Sequence, residues 1–240
     1  MPKKVAIIQS SYIPWKGYFD LIRMVDELIL YDIVQYTKND WRNRNRIKTQ
    51  NGLLWLTIPV NVTSLQQTIL DTKAIDQTWR KKHWKTLRQY YLKAPYFMKY
   101  HDIFYQAYVL EHEIFLSDIN FRFICIINEI LNIKTHITFA NDYSCTGDRC
   151  ERLVNLCKQS NANIYLSGPA AKGYLDKKLF QDEGICVEWM DYSGYPQYDQ
   201  FYPPFEHHVS ILDLIFHQGP DAIRYMKGLS PGNPLLQPNY

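Results

Sequence analysis

The sequence predicts an α/β fold: a mainly parallel, doubly wound sheet that carries a β-hairpin and a helical insertion. Three observations predict it, namely five short apolar runs of strand type, helical periodicity between them, and an Asn-Gly turn between two alternating runs. We find neither an internal repeat nor a low-complexity linker. We therefore predict a single domain over 1–240, with the hairpin at 41–60 and the helical insertion at 76–132.

The first strand–helix–strand unit covers 4–34. The apolar run at 4–8 predicts a buried strand, and Pro14 suits the first turn of the helix that follows. One face of that helix is apolar at helical spacing, with Trp15, Tyr18, Phe19, Ile22 and Val25. The run at 28–34 is the second strand, and a unit of this length normally forms a right-handed parallel crossover.

The hairpin and the helical insertion come next. Asn51-Gly52 is a strong hairpin-turn signal, so we predict strands at 41–48 and 53–60. Helical periodicity then runs from 76 to 132, and Pro95 interrupts it.

The sheet resumes after the insertion. Short apolar runs predict strands at 135–140, 164–167 and 185–190, and helical patterns occupy 147–159 and 209–217. Gly219-Pro220 ends the last helix. The remaining residues 230–240 are predicted to form an extended tail.

Composition limits the classes of function. A net charge of +3 gives no general argument for nucleic acid or membranes. No apolar run reaches the roughly 18 residues that a membrane span needs, so we expect no membrane insertion. The start of the chain does not resemble a secretory signal, and the five cysteines lack zinc-type spacing. We expect a cytoplasmic protein with reduced thiols and no metal site.

The turn after the first strand is the first candidate site. The carboxyl ends of parallel strands are the ligand end of such sheets, and a helix N-terminus favours anions. Gly17 allows a close backbone approach. The polar groups that we expect to contact a ligand here are Gln9, Ser10, Tyr12 and Lys16.

The order Pro14-Trp15-Lys16-Gly17-Tyr18 resembles a degenerate form of the P-x-H-x-G-H turn of nucleotidylyltransferases. The resemblance implies a nucleotidylyltransferase-like (HUP-like) sheet in which Trp15 and Tyr18 replace two histidines that steady a triphosphate. Tyrosine can hydrogen-bond a phosphate, but tryptophan cannot replace a protonated histidine, so we do not expect nucleotidylyl transfer. The structural alternative is that both rings only form the core face of the helix.

The first hairpin strand carries the strongest charge pattern. Its cations alternate, so on a strand they would share one face, and they are Arg42, Arg44, Arg46 and Lys48. Guanidinium groups bind phosphate or carboxylate well, and the diphosphate of a sugar nucleotide is a natural partner. Asn43 and Asn45 make the other face polar. The alternative is an exposed edge strand whose charges prevent aggregation.

The predicted helix at 79–93 is basic. It carries His83 among its cations, and those charges would lower the pKa of His83 and keep it neutral, as a general base requires. A solvated basic face is the plainer interpretation. RNA binding through this helix is a third option, but no recognised nucleic-acid module accompanies it, so we do not expect nucleic acid as a partner.

Two further segments supply polar groups. Ser167, Gly168 and Lys172 follow the strand at 164–167 and could form a second anion cradle, although no P-loop is present. Glu206 and His207 are a carboxylate–histidine pair of the kind used in acid–base catalysis. We predict catalytic roles for His83, His207 and Glu206. A serine or cysteine nucleophile is not favoured, because no G-x-S-x-G motif is present.

Several blocks, in this order, resemble the WbqC-like family: VAIIQSSYIPWKGYFDLI, YDIVQYTKNDWRNRNRIKTQNG, HW…L…YY…APYF, YLSGPAAKGYLD and FEHHVSILDLIFHQGPDA. His217 stands where the pattern leads us to expect a small polar residue. The resemblance implies bacterial, cytoplasmic work on activated sugars in O-antigen and other surface-polysaccharide biosynthesis. It does not name a reaction.

Two hypotheses follow for the function. The first is a transferase that acts on a nucleotide-diphosphate amino sugar, by acyl or aminoacyl transfer to the sugar amine; the acyl donor is unidentified and no cofactor is assigned. The second is a catalytically degenerate protein that binds sugar nucleotides or acts as a scaffold. Whether the chain forms a homodimer is left open.

Overall fold

The computed structural model describes residues 2–227 and has an α/β architecture. Its strands are β1 Lys4–Ile8, β2 Glu27–Leu30, β3 Arg44–Thr49, β4 Gly52–Thr57, β5 Val60–Asn61, β6 Lys73–Ala74, β7 His136–Phe139, β8 Ile164–Ser167 and β9 Cys186–Trp189. Its α-helices are α1 Lys16–Arg23, α2 Thr78–Tyr91, α3 Phe97–Tyr105, α4 Leu116–Ile130, α5 Arg149–Gln159, α6 Lys177–Asp182 and α7 Ile211–Gln218.

The main sheet, in the described part of the chain, has five strands in the order β7-β2-β1-β8-β9. All of its neighbouring pairs are parallel, as predicted. The chain builds outward from β1 in one direction through β2 and β7, and then in the other direction through β8 and β9. This reversal of direction defines a doubly wound sheet, whose switch point lies between β1 and β8.

Alternate residues of the central strands pack into two separate cores. Ile7 and Ile29 belong to the core that includes residues of α5 and α6. Ala6 and Leu28 belong to the other core, which includes residues of α1 and of the insertion helices. Successive side chains of a strand point to opposite faces, so a strand buried on both faces reads as a continuous apolar run. The run at 4–8 is therefore a reliable strand signal.

The hairpin forms, but its boundaries differ from the prediction. Its antiparallel register runs from Arg44↔Thr57 to Thr49↔Gly52, so the connecting residues are Gln50 and Asn51. The Thr49 hydroxyl donates to the Gly52 carbonyl at 2.8 Å, and Gly52 has a φ of +97°, which favours glycine. The chain before Arg44 is a turn and not a strand. This difference separates Arg42 from the other hairpin cations.

The insertion is helical, as predicted, and Pro95 lies between α2 and α3. A π-helical segment, Gln106–Leu110, follows α3, and α4 leads back to the sheet at β7. The small antiparallel sheet of β5 and β6 had no signal in the sequence, because each strand has only two residues.

Other boundaries differ by a few residues for local reasons. The second strand ends at Leu30 and not at 34, because Asp32 turns away to accept hydrogen bonds from Ser10 N and the Ser117 hydroxyl. The last helix begins at Ile211, because the Ser210 hydroxyl caps it by accepting from Leu212 N.

The remaining predictions concern membrane spans, the tail and the number of domains. No helix within residues 2–227 is long and apolar enough to cross a membrane. The predicted tail at 230–240 lies outside the described residues, and the single-domain assignment stays a prediction.

Candidate functional site

The site lies where β1 and β8 diverge at the carboxyl end of the sheet. Pairing between β1 and β2 continues to Ile8↔Leu30. Between β1 and β8 the described pairs are Lys4↔Ile164 and Val5↔Tyr165, near the start of both strands. The switch point of a doubly wound sheet is where ligands bind in this class of fold.

A cavity of about 290 Å³ occupies this end of the sheet. It is lined by the end of β1 and the β1–α1 segment, by the start of the hairpin, and by two segments that follow β9; the lining residues are Ile8, Ser11, Pro14, Trp15, Tyr18, Trp41, Arg42, Asn45, Tyr192 and His208. Aromatic rings with a few polar groups are typical of small-molecule sites.

The β1–α1 turn is held in an unusual backbone conformation. Ile13 has a φ of +38°, which a β-branched residue rarely adopts. The Asn45 side-chain amide donates to the carbonyls of Tyr12 and Ile13, at 3.2 and 2.8 Å. The Pro14 carbonyl accepts from Ile211 N at 2.9 Å. The hairpin and α7 therefore fix the turn, and local strain of this kind clusters at functional sites.

Trp15 and Tyr18 both line the cavity and also belong to the packed interior. The Trp15 ring packs against Tyr192 and His208, with centroids 5.3 and 5.2 Å away. A Cβ atom at Gly17 would collide with the Trp15 indole. The close approach that Gly17 permits is therefore to this ring, which corrects our expectation of an approach by a ligand. The Tyr18 hydroxyl donates to the Gln9 carbonyl at 3.1 Å.

Arg42 is a buried cation of the cavity lining. Its side chain is buried, with the residue 9% exposed, and within residues 2–227 neither Nε nor Nη1 has a hydrogen-bond partner. The Asp40 carboxylate lies 3.9 Å from Nε, at the limit of an ion pair. Burying guanidinium N–H groups without acceptors is costly, and each such group needs an explanation. An anion that contacts this guanidinium would supply it with an acceptor.

Hydrogen bonds from buried polar side chains fix the backbone around Arg42. Its carbonyl accepts from the Asn120 side-chain amide at 2.9 Å, and the same amide donates to the Ser10 hydroxyl at 2.9 Å. The Ser10 N–H donates to Asp32 at 2.7 Å. Ser10 is fully buried in this network and does not line the cavity, so the structure does not support the predicted ligand contact for Ser10.

The other hairpin cations each contact a protein group, although Arg44 Nε and Arg46 Nε also have no hydrogen-bond partner within residues 2–227. Arg44 lies over the Trp55 ring at 4.1 Å, Arg46 donates to the His208 carbonyl at 3.0 Å, and Lys48 donates to Gln200 at 2.7 Å. The predicted row of four therefore divides, because β3 begins only at Arg44. Asn43 donates to the Ile58 carbonyl at 2.9 Å and is buried, so it is a structural residue.

Lys16 is enclosed by aromatic rings. Its ammonium donates to the Pro196 carbonyl at 3.2 Å and lies 4.9 Å from the Tyr195 ring centroid. Burial lowers its pKa to about 8, although Asp20 and Asp213 act in the opposite direction. Lys16 is not among the residues that line the cavity, so its predicted contact with a ligand is not supported.

Tyr12 and His83 lie inside an aromatic cluster. The Tyr12 hydroxyl is 2.8 Å from both the His83 Nδ1 and the Tyr108 hydroxyl, and the Trp79 ring packs on His83 at 5.2 Å. His83 is 6% exposed, and burial lowers its pKa to about 4. Burial is the cause, and not the neighbouring cations that we expected. Neither Tyr12 nor His83 lines the cavity, so the predicted roles as ligand contact and general base are not supported.

The histidine that faces the cavity is His208. Its Nδ1 lies 3.3 Å from Glu206 Oε1, and its backbone N–H donates to the same oxygen at 2.7 Å. Burial alone would raise the pKa of Glu206, but the His208 N–H and the charges of His208 and Arg46 outweigh burial and lower it. A carboxylate that holds Nδ1–H leaves Nε2 as a proton acceptor.

His207 is not among the residues that line the cavity. Its ring packs on Phe205 at 4.6 Å, and its Nδ1 is buried without a partner among the described residues. Burial lowers its pKa, and the charges of Lys16 and His208 lower it further. The predicted acid–base pair is thus better described as Glu206 with His208 than as Glu206 with His207.

The second predicted cradle is beside the cavity and not in its lining. Ser167 donates to the Tyr165 hydroxyl at 3.3 Å, and the Lys172 ammonium lies 5.7 Å from the Trp189 ring centroid. Gly168 is near the Tyr192 hydroxyl, and Tyr192 does line the cavity. The parallel β1–β8 pairing brings this turn to the same end of the sheet, as predicted.

His217, the departure from the expected pattern, has a structural role. Its Nε2 accepts from Phe201 N at 3.2 Å, so its Nδ1 carries the hydrogen that reaches the Asp213 carbonyl at 2.7 Å. The Asp213 carboxylate is fully buried and accepts from the hydroxyls of Tyr91 and Tyr198, both at 2.7 Å. His217 therefore stabilises α7 and does not contact the cavity.

Sequence reasoning missed several cavity residues. The local sequence could have indicated Trp41 and Asn45 as ligand contacts, because both belong to the polar, aromatic start of the hairpin. Tyr192 lies in an irregular segment after β9, and no pattern pointed to it. Within the described residues, no group of three or more His, Cys, Asp or Glu is arranged to hold a metal ion.

The fold and the cavity define a doubly wound α/β protein with a buried cation at its switch point. The model of the WbqC-like protein family matches residues 9–225, and the chain belongs to this family. The chain is 47% identical over 229 residues to "Uncharacterized protein Rv1507c" of Mycobacterium tuberculosis (strain ATCC 25618 / H37Rv). The aligned region covers 94% of this chain and 99% of that protein. No solved structure matches, so the nucleotidylyltransferase-like (HUP-like) assignment stays a prediction.

Proposed function

We propose that the protein is a transferase that binds a nucleotide-activated amino sugar in the cavity and transfers an acyl or aminoacyl group to the sugar amine. The observation that carries the proposal is Arg42, a buried residue of the cavity lining whose guanidinium Nε and Nη1 have no hydrogen-bond partner within residues 2–227. A diphosphate offers several acceptor oxygens to such a group, and bidentate pairing suits the fork of its N–H donors.

The N-terminus of α1 also favours a negatively charged ligand group in the cavity. This helix begins at Lys16, next to Pro14 and Trp15 in the cavity wall, and no side chain caps it. The first N–H groups of a helix have no intrahelical acceptor, and the helix dipole favours negative charge there. Arg42 and the start of α1 would therefore bind the anionic linkage from two sides of the cavity.

His208 is the group that we assign as general base. As the amine nitrogen bonds to the donor carbonyl carbon, one amine proton passes to His208 Nε2, and the leaving group of the donor departs with its bonding electron pair. Glu206 positions the imidazole through Nδ1 and stabilises the imidazolium that forms. A positioned base of this kind contributes roughly 10²–10⁴-fold to the rate. The acyl donor is not assigned.

The biological setting is also part of the proposal. A cytoplasmic role in bacterial surface-polysaccharide (O-antigen) biosynthesis rests on the resemblance of the five sequence blocks, and a nucleotide-diphosphate amino sugar is the substrate that fits such a role. The alternative is a binding or scaffold protein without chemistry. The enclosure of His83 favours it, because one of the predicted bases does not reach the cavity.

A product assay separates the two functions. UDP-, dTDP- and GDP-linked 3-amino and 4-amino sugars are incubated with the protein and a protein-free bacterial extract that supplies the donor, and acylated products are detected by mass spectrometry. We expect a product with the wild type, no product with His208→Gln, and unchanged sugar-nucleotide binding by this variant in calorimetry. His112→Gln, an exposed histidine outside the cavity lining, is the matched control. Binding without any product would favour the scaffold function.

A further inference from the structure

Trp41 and Trp55 form an exposed aromatic pair at the hairpin. They are 40% and 41% exposed, and their ring centroids are 5.5 Å apart at an interplanar angle of 38°. Single exposed apolar side chains are common, but two neighbouring exposed indoles form a patch that marks an interaction site. The position of this pair is informative, because Trp41 also lines the cavity.

The guanidinium groups of two arginines pack against the indole rings. The Arg44 guanidinium carbon lies 4.1 Å from the Trp55 ring centroid, and the Arg46 guanidinium carbon lies 5.5 Å from both ring centroids. These guanidinium groups are themselves fixed, because Arg44 donates to Asn39 and Arg46 donates to the His208 carbonyl. Cation–π contacts of this kind hold a ring in place. The indoles are therefore positioned before any ligand arrives.

The aromatic pair and the anion site are continuous. Trp41 precedes Arg42 directly in the chain, and both residues line the same cavity. The Trp41 carbonyl accepts from Tyr12 N at 3.0 Å, which ties this segment to the β1–α1 turn. A ligand whose charged group lies on Arg42 would thus have its adjoining part beside the Trp41 ring.

We infer that Trp41, supported by Trp55, is the stacking surface for the base of a nucleoside diphosphate whose phosphates lie on Arg42. This inference rests on the proposed function and names the part of the ligand that the aromatic pair recognises. A planar base presents a π-face to an indole, whereas a saturated sugar does not. Stacking tolerates any base, because every base has such a face, so UDP, dTDP and GDP bind with similar affinity.

The test compares a nucleoside diphosphate with its charged group alone. Calorimetry measures the binding of UDP and of inorganic pyrophosphate to the full chain, to Trp41→Leu, to Trp41→Phe and to Trp55→Leu. We expect Trp41→Leu to weaken UDP binding about tenfold and to change pyrophosphate binding less than about twofold. Trp41→Phe keeps a ring and recovers most of the affinity, and Trp55→Leu has a smaller effect of the same kind.

Tyr174→Leu is the matched control. Tyr174 is also an exposed ring, with the Arg149 guanidinium carbon 3.4 Å from its centroid, and it is not among the cavity-lining residues. Near-ultraviolet circular dichroism verifies that each variant is folded. Unchanged UDP binding in Trp41→Leu, or an equal loss for UDP and pyrophosphate, overturns the inference while the proposed anion site stands. Failure of the wild type to bind either compound overturns both.

Discussion

The side-chain amide of Asn45 lies 2.8 Å from the Ile13 carbonyl and connects the hairpin to the turn that forms the cavity wall. Ile13 is fully buried and holds a φ of +38°, a conformation that costs about 1–3 kcal/mol in a residue of this type. The donor that holds this conformation comes from the hairpin. The hairpin therefore builds the site as much as the central sheet does.

Asn45→Ala should destabilise the protein and weaken ligand binding together. The substitution leaves the carbonyls of Tyr12 and Ile13 without their donor in a buried place, at a cost of about 2 kcal/mol in the free energy of unfolding. Urea unfolding measures the cost. Asn155→Ala removes an exposed amide that donates to the Thr146 carbonyl, and its effect should be within about 0.5 kcal/mol. Equal effects of the two substitutions would show that Asn45 does not hold the turn.

Gly17→Ala tests the contact between the helix and the indole. A Cβ atom at this position would overlap the Trp15 ring, so the ring must move, and we expect a loss of about 1–3 kcal/mol. The double variant Gly17→Ala/Trp15→Leu should recover part of the loss, which a double-mutant cycle detects. Gly173→Ala is the control, because nothing lies within 4 Å of a Cβ there. Additive effects of the two substitutions would refute the contact.

His83 should make folding sensitive to mild acid. Its pKa is about 4 in the folded protein, lowered by burial from an ordinary value of 6.5, so the unfolded chain binds more protons between these two values. Stability from this group is complete above about pH 6.5 and falls as the pH decreases towards 4, by on the order of 3 kcal/mol.

His83→Phe tests that sensitivity. The variant should lose less stability than the wild type between pH 6.5 and 4, as measured by urea unfolding at a series of pH values. It should also keep its affinity for sugar nucleotides, because His83 does not line the cavity. Parallel pH profiles for the two proteins would contradict the assignment, and a loss of binding by a folded variant would restore His83 as a site residue.

The sequence predicted the parallel sheet because buried strands read as apolar runs, and it placed the site at the end of β1 because the fold class puts ligands there. The alternating hairpin cations, however, predicted a single charged strand face, and the structure does not place Arg42 on that strand. The alternation of Arg42 with Arg44 assumes a strand, and the chain becomes a strand only at Arg44. Whether a cation faces a cavity or a tryptophan ring depends on where pairing begins, which local sequence does not specify.

The burial of His83 was not predicted for a different reason. A histidine in a basic helix looks exposed in the sequence, but α2 turns His83 into an aromatic cluster formed by distant parts of the chain. The choice between His207 and His208 depended on the path of the segment before α7. Tyr192 reaches the cavity from an irregular segment and carries no periodic signal at all.

The most direct test of the account is the affinity of UDP for Arg42→Met. Isothermal titration calorimetry compares this variant with the wild type and with Arg224→Met, which removes an exposed arginine paired with Asp221. Removal of a charged hydrogen-bonding group is expected to weaken binding roughly 10- to 100-fold. The account predicts that loss for Arg42→Met and none for Arg224→Met. Equal UDP affinity in all three proteins would contradict it, because the buried guanidinium would then have no anion to bind.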